Sequence, residues 1–350
     1  MLPTNLPTFD ELPRFHSFSG CAWDVWGKDD ELGTINLLTE EVVKEAAAHE
    51  IRLGKTICLN WPVNFPSKPM YGRQAPRVKL WAGHDDVVND DSLHINTQSG
   101  TQWDGLRHFG LLGYDVFYNN TASGSFPKGY LYFPDPNAID QKQIKLGIHN
   151  WAQHGICGRG VLLDLVRYYT ASGAKLPYDP WTAHAIPVKD LEDCARFQGI
   201  TFKQGDVLIL RMGFIRRYHT ASQEERDSLG SKPETFAGIE QSEDMKRFLW
   251  NNHFAAVASD QPALECWPNL DFNYLHQVCS ADRRLNLYQL FGYIQQTLLS
   301  LFGMPIGEFF DLEKLSEVCA ENDRHTFFFT SWPLNVLGGV ASPANAAAYL

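Results

Sequence analysis

GVLLDLV (160–166), PVKDLEDCARFQG (187–199) and GDVLILRMG (205–213) follow one another along the chain, and their order decides the fold class. The first is a nearly continuous apolar run. A run of this kind suits a strand covered on both faces, since a half-exposed strand would alternate polar and apolar residues. The second segment opens on Pro187 and closes on Gly199, the asymmetry that marks the two ends of a helix. GDVLILRMG is then another buried strand. Working outward, SEDMKRFLWNNH (242–253) reads as a helix and FAAVASD (254–260) as the buried strand after it. Upstream, TEEVVKEAAAH (39–49) reads as a helix, with Thr39 as its cap and Glu40 and Glu41 at its positive end. KTICLNWPV (55–63) and DSLHINTQ (91–98) are strand-like. The alternation predicts an α/β or mixed α+β chain. With no internal repeat and no linker-like stretch, one domain over residues 1–350 is expected.

Composition narrows the partners. The chain has 350 residues, 44% apolar and 20% charged, with a formal net charge of −11. That balance argues against a nucleic-acid or anionic-membrane surface, which needs clustered Lys and Arg. Arg211, Arg216 and Arg217 are too few to reverse it. MLPTNLPTFDELPRF has neither a basic nor an apolar signal region, and no stretch of 18 apolar residues occurs. A soluble cytoplasmic protein with a small-molecule substrate is expected. Seven cysteines, at 21, 58, 157, 194, 266, 279 and 319, are scattered without a CxxC pair and read as reduced thiols. Dinucleotide and P-loop signatures and the GxSxG elbow are absent, so no nucleotide cofactor is expected, and Ser99 has no context that would activate it.

QSGTQWDGLRH (98–108) concentrates the chemistry. Asp104 and His108 are four apart and would share one face of a helix. A His that is neutral near pH 7 can take or give a proton beside a carboxylate that orients it. The plainer alternative makes Asp104 a helix N-cap and His108 a packed core residue.

These residues resemble the cyclase family that includes bacterial kynurenine formamidases and isatin hydrolase. The likeness runs through WGKDDELGTINLLT (26–39), SGTQWDGLRH (99–108), HGICGRGVLLD (154–164), QGDVLILRMG (204–213), AAVASDQPALE (255–265) and FGMPIGEFFDLEKL (302–315). It implies a swivelling-type β/α domain with a central mixed sheet, and a homodimer or homotetramer. The metal-dependent members read HxGTHxDxPxH, with two His and the Asp on a divalent metal and the last His as acid/base. The matching positions here are Gln98, Gln102, Asp104 and His108, so both imidazole ligands are amides. His276 and Glu308 match a later His and Glu that complete a second metal position.

Two versions of the site follow from the resemblance. In one, Asp104, His276 and Glu308 hold zinc or manganese with Gln102 as an oxygen ligand, a bound water is acidified, and His108 shuttles the proton. In the other no metal takes part; His108, Asp104 and Glu308 transfer protons while Gln98 and Gln102 donate to an oxyanion. Trp103 and Asp260 are further candidates for the pocket. The first version implies an arylformamidase-like hydrolase of C–N or ester bonds, acting on a cyclic or aryl amide, formamide or lactone. The second implies a cyclase, dehydratase or isomerase of secondary metabolism. A non-catalytic binding homologue is the third reading.

His276 and Glu308 are 32 positions apart, against about a dozen in the family, and the excess maps to residues 278–296. Nineteen residues equal 57 nucleotides, and the segment begins with Val and ends with Gln, as translation of GT…CAG would. It is read either as an unspliced intron or as an inserted lid, whose Leu287, Leu290, Phe291, Ile294, Leu298 and Leu301 follow helical spacing.

Overall fold

The apolar runs become the centre of a nine-stranded mixed sheet. The computed structural model describes residues 6–83, 87–230, 233–268 and 293–350. The sheet's strands are β1 (Thr56–Cys58), β2 (Gln102–Asp104), β3 (Ile156–Asp164), β4 (Val207–Arg211), β5 (Ala256–Ser259), β6 (Ile306–Glu308), β7 (Thr326–Ser331), β8 (Ala341–Pro343) and β9 (Ala346–Tyr349). Their spatial order is β1-β9-β7-β3-β4-β5-β6-β2-β8. The four strands β3 to β6 run parallel, and every other pairing in the sheet is antiparallel. This is the α/β architecture with a central mixed sheet that the sequence implies.

Two cores on opposite faces explain why the central strands do not alternate in polarity. Val161 and Leu163 of β3 and Leu208 and Leu210 of β4 pack into one core with Leu191, Cys194, Met245 and Leu249. Leu162, Val207 and Ile209 pack into the other with Leu315, Val318, Phe327 and Phe329. The helices Val188–Phe197, Glu243–Asn251 and Glu313–Glu321 supply the partners from outside the sheet, and Phe327 and Phe329 come from β7. The expected cap forms, Thr39 Oγ1 accepting from Val42 N, and Ser242 Oγ likewise accepts from Met245 N. Strand β3 begins earlier than expected and stops at Asp164, which caps a short helix, Leu165–Thr170.

DSLHINTQ contributes to a different element. Asn89–His94 pairs with Arg77–Ala82 in a two-stranded hairpin exposed on both faces, outside the main sheet. Cys21, Cys58, Cys157, Cys194, Cys266 and Cys319 are free thiols. Among the described residues no helix is long and apolar enough to cross a membrane. Of the 278–296 stripe, Ile294 is buried, as are Leu298 and Leu301 beyond it; Leu287, Leu290 and Phe291 lie outside the described residues.

Arg211 is an internal cation and no part of a basic surface. Its guanidinium donates to Asp164 Oδ1 at 2.8 Å and to both carboxylate oxygens of Glu313 at 2.8 Å. Asp164 is buried and also accepts from Arg167 N and Ser316 Oγ. Removing one partner of such a pair strands the other charge. Arg211→Met should therefore destabilise the fold by about 3–5 kcal/mol in urea unfolding, and Glu313→Gln by clearly less, since Glu313 reaches solvent.

Candidate active site

Strand alternation sorts the residues of QSGTQWDGLRH. Gln102 and Asp104 project from one face of β2, and Trp103 from the other. Trp103 is fully buried in the core, packs against Phe310 and Phe329, and donates from Nε1 to Ser331 Oγ at 2.8 Å. The expected pocket role for Trp103 gives way to a structural one. Thr101 ties the strand's approach to β6, donating to Phe309 O at 2.6 Å and accepting from Trp61 N.

The shared helix face expected for Asp104 and His108 does not form. Asp104 ends a strand, and residues 105–108 make a turn closed by His108 N to Gly105 O at 2.8 Å. Gly105 is required here by close approach, because a Cβ would lie 2.5 Å from Val340 O. Arg107 anchors the turn by donating to the carbonyls of Gln143, Lys145 and Gly338. The turn still brings His108 Nε2 within 3.7 Å of Asp104 Oδ2. His108 retains 18% side-chain exposure, whereas Asp104 has none.

Pairing between β2 and β6 sets Gln102 opposite Glu308. Gln102 Nε2 donates to Glu308 Oε2 at 2.7 Å and to Asp104 Oδ1 at 3.3 Å. Gln98 Nε2 donates to the same Asp104 oxygen at 3.0 Å and lies 2.9 Å from His108 Nδ1. Arg73 Nη1 holds Gln98 through its backbone carbonyl at 2.6 Å. Gln295, from the end of the 278–296 segment, places its amide 3.5 Å from Glu308 Oε1.

Burial and crowding set the charges. Burial raises the Glu308 carboxyl well above the usual carboxylate range, with the Asp104 charge adding to it and Arg73 opposing. Burial lowers His108 against the pull of Asp104, favouring the neutral ring. A third carboxyl, Glu265, joins the cluster: it is fully buried, neither oxygen accepts from another described residue, and burial with the Asp104 charge pushes it to about 7. Sequence reading named neither Glu265 nor Arg73. Glu265 closes the AAVASDQPALE run, a position after a buried strand where a carboxylate has no local partner, and that was its only signal.

Asp260 is placed elsewhere than the pocket expected for it. Its two oxygens accept from Met212 N and Gly213 N, each at 2.7 Å, so it fastens the chain after β4. Burial raises it to about 7, although those two donors oppose the shift. His276 lies outside the described residues.

Among the described residues the donors do not fit the expected metal, His276 lying outside them. The resemblance has Gln102 offering its carbonyl oxygen, yet its NH2 end faces the carboxylates and Oε1 is buried without a partner among the described residues. Nor do the two amides aim at an oxyanion; their hydrogens already lie on Asp104, Glu308 and His108. Among the described residues no group of three or more His, Cys, Asp or Glu side chains converges as a metal site.

Glu265 gives a measurable sign. Its folded pKa lies near 7 against an ordinary 4.5, so between those values the unfolded chain binds fewer protons and stability falls as pH rises. Glu265→Gln should flatten this slope, changing the stability difference between pH 4 and pH 8 by about 3 kcal/mol. Urea unfolding of both proteins across that range checks it.

Comparison with known proteins then places the chain. The family model described as "Putative cyclase" matches residues 38–266. The crystal structure of a novel cyclase is similar with a TM-score of 0.75 at 27% identity, covering 94% of this chain and 99% of its own. Isatin hydrolase A from Ralstonia solanacearum is similar with a TM-score of 0.52 at 12% identity, covering 84% of this chain and 91% of its own. Isatin hydrolase A from Labrenzia aggregata, bound to benzyl benzoate, gives 0.51 at 12% identity, covering 88% and 97%. At these identities the isatin hydrolases share the fold. No curated protein matches. Since the family model spans more than half of its length, the chain belongs to the cyclase family.

Proposed function

We propose that the protein is a hydrolase of a cyclic or aryl amide, formamide or lactone, with His108, Asp104 and Glu308 as its reacting groups. One observation carries this reading: an imidazole that reaches solvent stands in one hydrogen-bonded cluster with a buried carboxyl, and burial shifts both toward their neutral forms. Groups whose environments push their protonation in these directions are suited to act as base and acid in one turnover.

The chemistry balances with these residues alone. Water attacks the carbonyl carbon as His108 removes its proton; Gln98 Nε2 lies 2.9 Å from Nδ1 and 3.2 Å from Nε2 and moves away from whichever nitrogen takes that proton. Collapse of the tetrahedral intermediate breaks the C–N or C–O bond, and Glu308 protonates the leaving atom. Transfer of the proton from imidazolium to the Glu308 carboxylate restores the site. Asp104 stabilises the imidazolium meanwhile. Hydrolysis is also the reaction named for the isatin hydrolases of the same fold.

A second reading, cyclisation or dehydration of a small molecule by the same residues, is favoured by the number of carboxyls that burial raises above the usual range, Glu265 among them. Products formed in ¹⁸O-labelled water separate the two, since only hydrolysis fixes solvent oxygen.

A panel of N-formyl arylamines, isatin-like cyclic amides and aryl lactones tests the proposal. On any substrate that turns over, His108→Ala and Glu308→Gln should each lower kcat by about 10²–10⁴-fold with folding retained. The acid limb of kcat/KM should fall below pH 6.5, because burial lowers His108 from that value. Wild-type turnover in His108→Ala sinks the mechanism.

A further inference from the structure

Asp104 and Glu308 are buried carboxyls facing one side chain, and such a pair needs a cation, a proton or shared donors to stay together. The structure supplies donors. A primary amide has two N–H groups, and Gln102 divides them between the two carboxyls, at 2.7 Å and 3.3 Å. Gln98 repeats the arrangement one step along, from Asp104 Oδ1 at 3.0 Å to His108 Nδ1 at 2.9 Å. The two amides thus link Glu308, Asp104 and His108 into one chain.

Orientation is the telling feature. A metal-ligating Gln turns its oxygen inward, toward the cation. With Gln102 turned that way and no cation present, its oxygen would meet oxygens of both carboxyls. The observed orientation instead leaves Oε1, like Asp104 Oδ2, buried with no hydrogen-bond partner among the described residues, at a cost of about 1–3 kcal/mol for one acceptor. The arrangement accepts that cost to keep both N–H groups on the acids.

We propose that Gln98 and Gln102 do by hydrogen bonding what a divalent ion does by coordination, so that this site is assembled without a metal. The proposal rests on the reading of the cluster as the active site, and it assigns the amides a positioning role.

The test uses the full chain as purified, with metal content measured by mass spectrometry and thermal unfolding followed with EDTA, manganese or zinc. The expected result is well under one ion per chain and a Tm that none of these additions moves. The double variant Q98H/Q102H, which restores two imidazoles, should gain stoichiometric zinc or manganese and a Tm that EDTA lowers. A wild-type chain holding one ion per site, with a Tm that falls on its removal and is restored by adding it back, overturns the proposal. His276→Ala locates such an ion. If the double variant fails to fold, the wild-type measurements decide alone. A metal-free chain that hydrolyses nothing sinks the function proposed above and leaves this inference standing, whereas a metal-loaded hydrolase does the reverse.

Discussion

Four parallel strands buried on both faces end side by side, and at that edge polar groups must find partners inside the protein. β3 ends at Asp164, β4 at Arg211, β5 runs into Asp260 and β6 ends at Glu308. Register places Asp164 beside Arg211, and their ion pair is completed by Glu313. Asp260 instead takes two backbone donors from the segment after β4. Glu308 takes a side-chain amide from β2, the antiparallel neighbour. The row thus shows three solutions to one problem: a countercharge, backbone N–H groups and a neutral amide. Only the last relies on a neutral side-chain amide, and the proposed site lies there. Its position agrees with the general placement of ligand sites at the carboxyl ends of strands in open α/β sheets.

Sequence reading reached the sheet because burial on both faces writes itself into consecutive residues. GVLLDLV and GDVLILRMG carry that signal without a partner strand in view, and the helices between them carry their own caps and apolar stripes. The outer strands were harder. β2, β6 and β8 are three residues each, too short for any period, and the exposed hairpin 77–94 shows alternation with no core behind it. Alternation reports a two-faced environment, and in this hairpin it stands where neither face is covered.

The site was legible as a list more than as a geometry. Asp104, His108, Gln98, Gln102 and Glu308 do meet, although 206 positions separate Gln102 from Glu308. That pairing came through the family likeness, since nothing local in IGEFF announces a contact with QWD. The four-residue spacing of Asp104 and His108 suggested a helix, and a strand end followed by a turn produced the proximity instead. Glu265 and Arg73 escaped because each is made important by distant residues: Glu265 by the Asp104 charge, Arg73 by the Gln98 carbonyl. An amide's orientation is likewise invisible in sequence, as Gln names both a donor and an acceptor.

One strand serves packing and chemistry at once. Trp103 fills the core on one face of β2 while Gln102 and Asp104 belong to the proposed site on the other, so the core side fixes the depth at which the acids sit. Gly307, opposite Trp103 on β6, allows this depth; a Cβ there would lie 2.5 Å from Ala258 Cβ and 3.0 Å from the Trp103 ring. Depth in turn sets protonation. The same burial raises Glu308 and lowers His108, moving both toward their neutral forms, and neutral groups can be linked by amides that carry no charge. A site so built gains little from ionic attraction and depends on exact hydrogen-bond geometry, which the rigid pairing of β2 with β6 supplies.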